Sequence, residues 1–205
     1  MIKLFVFSLA NNKRNILIAT IVFFLSVFLG YLIDPKNDFV RQLMSQLANI
    51  AEQIKNYDNV LFTIYKIFIN NLFAAVKMIL LGAILGIIPL ISLFSNGILI
   101  GVFLKIVTVE SNQSISYFLI GILPHGILEI PAIIIAAAFG MKLGFTLIRA
   151  IIWAFSRSIP GEKSKALLIA TVKQTAVVSL GITITLFFAA IIESTLTVYL
   201  LSMLQ

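Results

Sequence analysis

The sequence predicts an all-α protein that crosses a membrane about five times. Three observations predict it. First, the AVILMFWYC set makes up 60% of the 205 residues and charged residues only 11%, with mean hydropathy +1.10. A water-soluble domain carries about 25% charged residues because its surface must face water, and this chain lacks the charge to cover one. Second, the apolar residues gather in runs of the length that crosses a hydrocarbon core of roughly 30 Å as a helix. Third, most basic residues flank these runs, where the positive-inside rule accounts for them.

The first span is expected at Ile16–Ile33, behind the basic stretch "MIKLFVFSLANNKRN". Its length is that of a membrane span rather than of a signal-peptide core, and no A-x-A site follows, so a retained anchor is expected. Lys3, Lys13 and Arg14 place its N-terminal side in the cytoplasm. "DPKND" then breaks the helix and opens a polar segment, Asp34 to Lys66. Within it Phe39, Val40, Leu43, Met44, Leu47, Ile50 and Ile54 recur at helical steps, which predicts an extracytoplasmic amphipathic helix over about 39–56. Such a helix either rests on the membrane surface or caps the bundle, or offers a docking face for a partner.

The second span is expected at 67–90. Its Gly82 and Gly86 form a G-x-x-x-G step, a cue for close helix packing. "ISLFSNG" reads as a tight return, with Asn96–Gly97 as a helix-breaking pair. A short third span follows at 98–109, and a fourth at 115–139. Because the third is short for a crossing, the alternative for 79–139 is a re-entrant hairpin. From Met141 to Lys173 there are six bases (Lys142, Arg149, Arg157, Lys163, Lys165, Lys173) against one acid, Glu162. This is expected to be a cytoplasmic loop, turning at "SIPGEK". The last span, 175–200, then leaves the C-terminus outside. One integral membrane domain, 1–205, accommodates all of this.

Several chemistries are excluded. Without cysteine there are no disulfides and no thiolate metal sites. The single histidine, His125, cannot complete an HExxH zinc site, and no G-x-S-x-G elbow is present. No enzyme activity, metal or cofactor is expected. The net charge of +7 is dispersed around the spans rather than clustered on a face, so nucleic acid is not an expected partner. Expected partners are membrane lipid and other membrane or envelope proteins, with a homo-oligomer as a further option.

Polar groups inside the apolar runs are the candidates for function. A charge at a helix centre costs about 2.5–3.5 kcal/mol on insertion scales, so each should face the bundle interior or be neutralised. Lys77 and Glu193 lie at matching depths in the second and last spans, which suggests an ion pair. The alternative for Lys77 is snorkelling towards the headgroups. Lys105 is a further buried cation. His125 and Glu129 are one helical step apart. Pro124 and Pro131 flank them, and Pro131 frees the Ile127 carbonyl, to which a polar side chain could bond. Intramembrane His and Glu could instead relay protons, through His125, Glu129 and Glu193.

Asn70–Asn71, Asn96–Gly97 with Gly101, and above all "PHGILEIPA" (Pro124, His125, Gly126, Glu129 and Pro131 within it) resemble the stage II sporulation protein M family of integral membrane proteins. The resemblance covers most of the chain, and the P-H-G-x-x-E-x-P element is its specific part. It implies a multi-spanning membrane protein with no established catalytic activity. The namesake of that family acts as a scaffold recruiting two cell-wall-degrading proteins, stage II sporulation proteins D and P, during engulfment of the forespore. The expectation is therefore a non-enzymatic membrane scaffold or assembly protein. The alternative is a small proton, ion or solute transporter or channel using His125 and Glu129.

Overall fold

A computed structural model of the chain describes residues 2–34, 36–38, 41–42, 45, 59–110, 115–156 and 161–203. Among them there is no strand. The elements are α1 (Ile2–Ala10), α2 (Lys13–Leu32), α3 (Val60–Leu85) and α4 (Ile88–Lys105), the last continued by a π-helical turn, Ile106–Glu110. Then come α5 (Ile115–Ser156), α6 (Gly161–Ile192), a second π turn (Glu193–Thr197) and α7 (Val198–Ser202). Five segments are long and apolar enough to cross a membrane: 13–32, 60–84, 88–109, 126–155 and 161–200. Most of the amphipathic helix expected over 39–56 lies outside the described residues.

The return between the second and third spans is not at Ile91–Gly97. It falls at Gly86–Ile87, between α3 and α4. Gly86 ends α3 in the left-handed region (φ 58°), its N–H donating to the Gly82 carbonyl at 2.7 Å. Glycine adopts that conformation without the Cβ penalty, which is why it closes helices. Pro89 then sits in the first turn of α4, where its missing N–H has no helical partner to lose. With the break moved back, the third span becomes a full crossing of 22 residues, and α4 is helical throughout, with no re-entrant hairpin there.

Asn96–Gly97 therefore lies inside a helix, and its glycine serves packing. Ala19, Phe23, Ser26 and Gly30 form the buried stripe of α2, facing Leu93, Gly97, Gly101 and Val102 of α4. A Cβ on Gly97 would meet the Phe23 carbonyl oxygen at 2.8 Å, and one on Gly101 the Tyr31 amide nitrogen at 2.7 Å. A second seam joins α3 to α5. There Gly82 lies against Gly140, and Gly86 against Gly144. Lipid is as apolar as leucine, so membrane helices associate through close backbone approach at small residues rather than by hiding apolar surface from water. Two small-xxx-small steps, each matched across its seam, supply that approach.

Helix α5 is the centre of the bundle. The run Ala136–Ala138, Phe139, Gly140 and Met141 is buried all round. One of its faces packs with Ala19, Phe23, Met78 and Leu93, the other with Ala75, Ile79, Val178, Ile182 and Leu186. The region from Met141 to Lys173 is not a loop. Helix α5 runs on to Ser156 and α6 begins at Gly161, so most of the base-rich segment is a helical hairpin.

Candidate functional site

Buried polar groups are rare in this bundle, and most are satisfied locally. Lys105, flagged by its depth, donates from Nζ to the Ile33 carbonyl at 2.9 Å. Ile33 caps the C-terminus of α2, so a cation bonds the negative end of a helix dipole there. Lys142 donates to Gln174 Oε1 at 2.6 Å and stands 5.5 Å over the Phe139 ring. Asn12 is almost wholly buried, and its Nδ2 donates to the Ala138 carbonyl at 3.1 Å, tying the start of α2 to the centre of α5. Sequence reasoning missed Asn12, Gln174 and the Gly140–Gly144 step. Only the last carried a signal, being a second G-x-x-x-G in an apolar run.

Two glutamates have no such local partner among the described residues. Glu129 lies on α5, and Glu193 opens the π turn that continues α6. Helices α5 and α3 both pack on that turn, which sets the helix carrying Glu129 against the turn carrying Glu193. Both carboxylates are half-buried, and among the described residues neither accepts a hydrogen bond. A π turn inserts one residue into the helical register and redirects the side chains that follow, and such turns are frequent at functional sites. Here Ser194 Oγ donates to the Ala190 carbonyl at 2.8 Å and Thr195 Oγ1 to the Ile191 carbonyl at 2.6 Å. The neighbouring hydroxyls are thus spent on their own helix.

The other expected residues fall as follows. Pro124 and Pro131 do not break the helix, since α5 runs through both. Among the described residues no side chain donates to the Ile127 carbonyl that Pro131 leaves free. His125 lies on α5 one turn before Glu129; its side chain lies outside the described residues. Gly126 differs from the seam glycines. Among the described residues, a Cβ there would meet only Ile122, at 3.2 Å, and Ile130, at 3.5 Å, both on its own helix.

Asn70 is exposed and Asn71 half-buried on α3, close to Phe68, whose ring meets Phe187 of α6 edge-on at 5.6 Å. That contact puts the asparagine pair on the stretch of α3 that borders α6. Asn96–Gly97 belongs instead to the α2 seam. The expected Lys77–Glu193 ion pair is not formed among the described residues. Lys77 is exposed, because the buried face of α3 is set by Ala75, Met78 and Ile79 and Lys77 falls on the opposite side. Snorkelling is the arrangement its position fits. Nor do the described residues hold a cluster of three or more His, Asp or Glu that could bind a metal ion.

Comparison with known proteins agrees with the motif. The model of the stage II sporulation protein M family matches residues 19–198. An uncharacterized protein of Methanocaldococcus jannaschii is 32% identical over 149 residues, covering 69% of this chain. The chain spans 64% of that relative's length. No solved structure matches.

Proposed function

This chain belongs to the stage II sporulation protein M family, and from that premise we propose that it is a non-enzymatic scaffold that gathers other envelope proteins, cell-wall-degrading enzymes among them. It is a multi-pass membrane protein. The observation that carries the reading is the solid centre of the bundle. Two glycine seams set backbone against backbone, and Ala136–Met141 pack between them with almost no exposure. Such a centre gives a fixed frame on which partners can be placed. Its orientation in this reading is N-terminus cytoplasmic and C-terminus outside. Lys13, Arg14 and the bases of the α5–α6 hairpin support it, because the Asn12–Ala138 bond sets them at one end of the bundle.

The experiment is purification of the full-length chain from its native membranes after mild chemical crosslinking. The scaffold reading expects envelope proteins in fixed proportion to the chain, and recovery of the chain alone contradicts it. A second reading has its own support. Glu129 on α5 and Glu193 on the π turn that α5 packs against are carboxylates inside membrane-spanning helices, the kind of group that carries protons or cations in transporters.

A further inference from the structure

The α5–α6 hairpin is longer than the bundle it belongs to. Helix α5 has 42 residues, about 63 Å of helix, against a hydrocarbon core of about 30 Å. The other helices end together near its middle. Asn12 at the start of α2 bonds Ala138, Gly86 at the end of α3 lies against Gly144 and Phe145, and Pro89 at the start of α4 lies against Gly140. Past that level, among the described residues, only the two arms of the hairpin remain. No described residue between Phe145 and Phe155, or between Gly161 and Ala170, is buried.

The arms are both apolar and basic. Phe155 is 87% exposed, Ile152 57% and Ile151 56%. Arg149 stacks on Trp153 at 5.9 Å, and Lys163 and Lys165 are exposed on the other arm. Between the arms lies a cleft of about 250 Å³, lined by Trp153, Ala154, Gly161, Ser164, Lys165 and Leu168. We infer that this projecting hairpin is a docking arm for an acidic protein segment with an apolar face, on the side of the membrane that carries Lys13 and Arg14.

Two other occupants fit less well. The chain's own lipid headgroups form a layer of only about 5–8 Å per side, whereas the twelve residues from Phe145 to Ser156 rise about 18 Å. A second copy would bring another excess of bases against this one, and like charges at an interface oppose pairing. An acidic partner meets both the charge and the apolar surface, with Trp153 and Arg149 being the residue types that anchor interfaces.

The inference does not depend on the scaffold reading, since a transporter could carry the same arm. The test places a photo-crosslinking residue at Ile152 or Leu167 in the full-length chain in its native membranes, with a control at Ile184 on the exposed side of α6. Adducts at positions 152 and 167 are identified by mass spectrometry. The expected result is a protein segment of net negative charge, captured at both positions and absent at 184. The double charge reversal Lys163→Glu/Lys165→Glu lowers its yield about tenfold, while Lys163→Arg/Lys165→Arg preserves it. Thermal melting of each variant confirms that it folds. Adducts with lipid or with a second copy, no adduct above the control, or a yield indifferent to charge reversal would each overturn the inference.

Discussion

Gly82 and Gly140 bring the backbones of α3 and α5 into direct contact: a Cβ on Gly82 would stand 2.5 Å from the Gly140 carbonyl carbon. No rotamer relieves such a clash, because the obstructing atoms are backbone. Gly82→Ala should therefore separate the two helices and cost about 1–3 kcal/mol, in the range of overpacked cores. Gly161→Ala is the matched control. Nothing lies within 4 Å of a Cβ at Gly161, and the change should fall within about 0.5 kcal/mol of neutral. Thermal unfolding of the two variants in one detergent compares them directly; equal midpoints would refute the seam.

The Asn12–Ala138 bond makes a different prediction. Asn12→Leu removes a buried donor that ties α2 to the bundle centre, and should cost about 0.5–1.5 kcal/mol. Because Asn15 Nδ2 also donates to Asn12 Oδ1 at 2.8 Å, Asn15→Ala combined with Asn12→Leu should cost less than the sum of the two single changes. A double-mutant cycle on unfolding free energies measures that coupling.

Gly126 offers a test of whether the P-H-G-x-x-E-x-P element is structural. Among the described residues its Cβ would touch only the Ile122 and Ile130 side chains, and alanine exceeds glycine in helix propensity by about 1 kcal/mol. Gly126→Ala should leave the thermal midpoint unchanged or raise it. A clear fall would show that another helix presses on this position.

Much of the fold is legible in the sequence, and the failures have physical causes. The apolar runs place five spans because lipid tolerates so few charges. Where the chain turns is less legible. Asn96–Gly97 has the composition of a turn, but the same lack of a side chain lets Gly97 sit against Phe23 and Ser26. Gly86 and Pro89 make the actual turn. The bases between Met141 and Lys173 resemble a loop by charge alone, yet charge marks a face of the membrane and not an irregular backbone. Residue type alone groups Glu129 with Glu193; that α5 packs on the turn holding Glu193 depends on helix register, which composition does not reveal. The outward facing of Lys77 follows from the buried stripe of α3, which the composition of that run does not reveal.

The two glutamates lie on packed elements in an apolar setting, with no hydrogen-bond partner among the described residues. Replacing one with a neutral isostere removes an ionisable group from the apolar bundle and breaks no such bond. Glu129→Gln and Glu193→Gln should each leave the thermal midpoint at neutral pH unchanged or raised. A drop in either would mean that the carboxylate is held by a group that needs its charge.

On the proposed reading this bundle is a frame and not a conduit. The most direct measurement is proton flux into liposomes that contain the purified full-length chain and an entrapped pH-sensitive dye, under an imposed membrane potential. The scaffold account predicts the rate of protein-free liposomes, for the native chain and for Glu129→Gln alike. Flux above that background, abolished by Glu129→Gln or Glu193→Gln in protein of unchanged thermal stability, would contradict it.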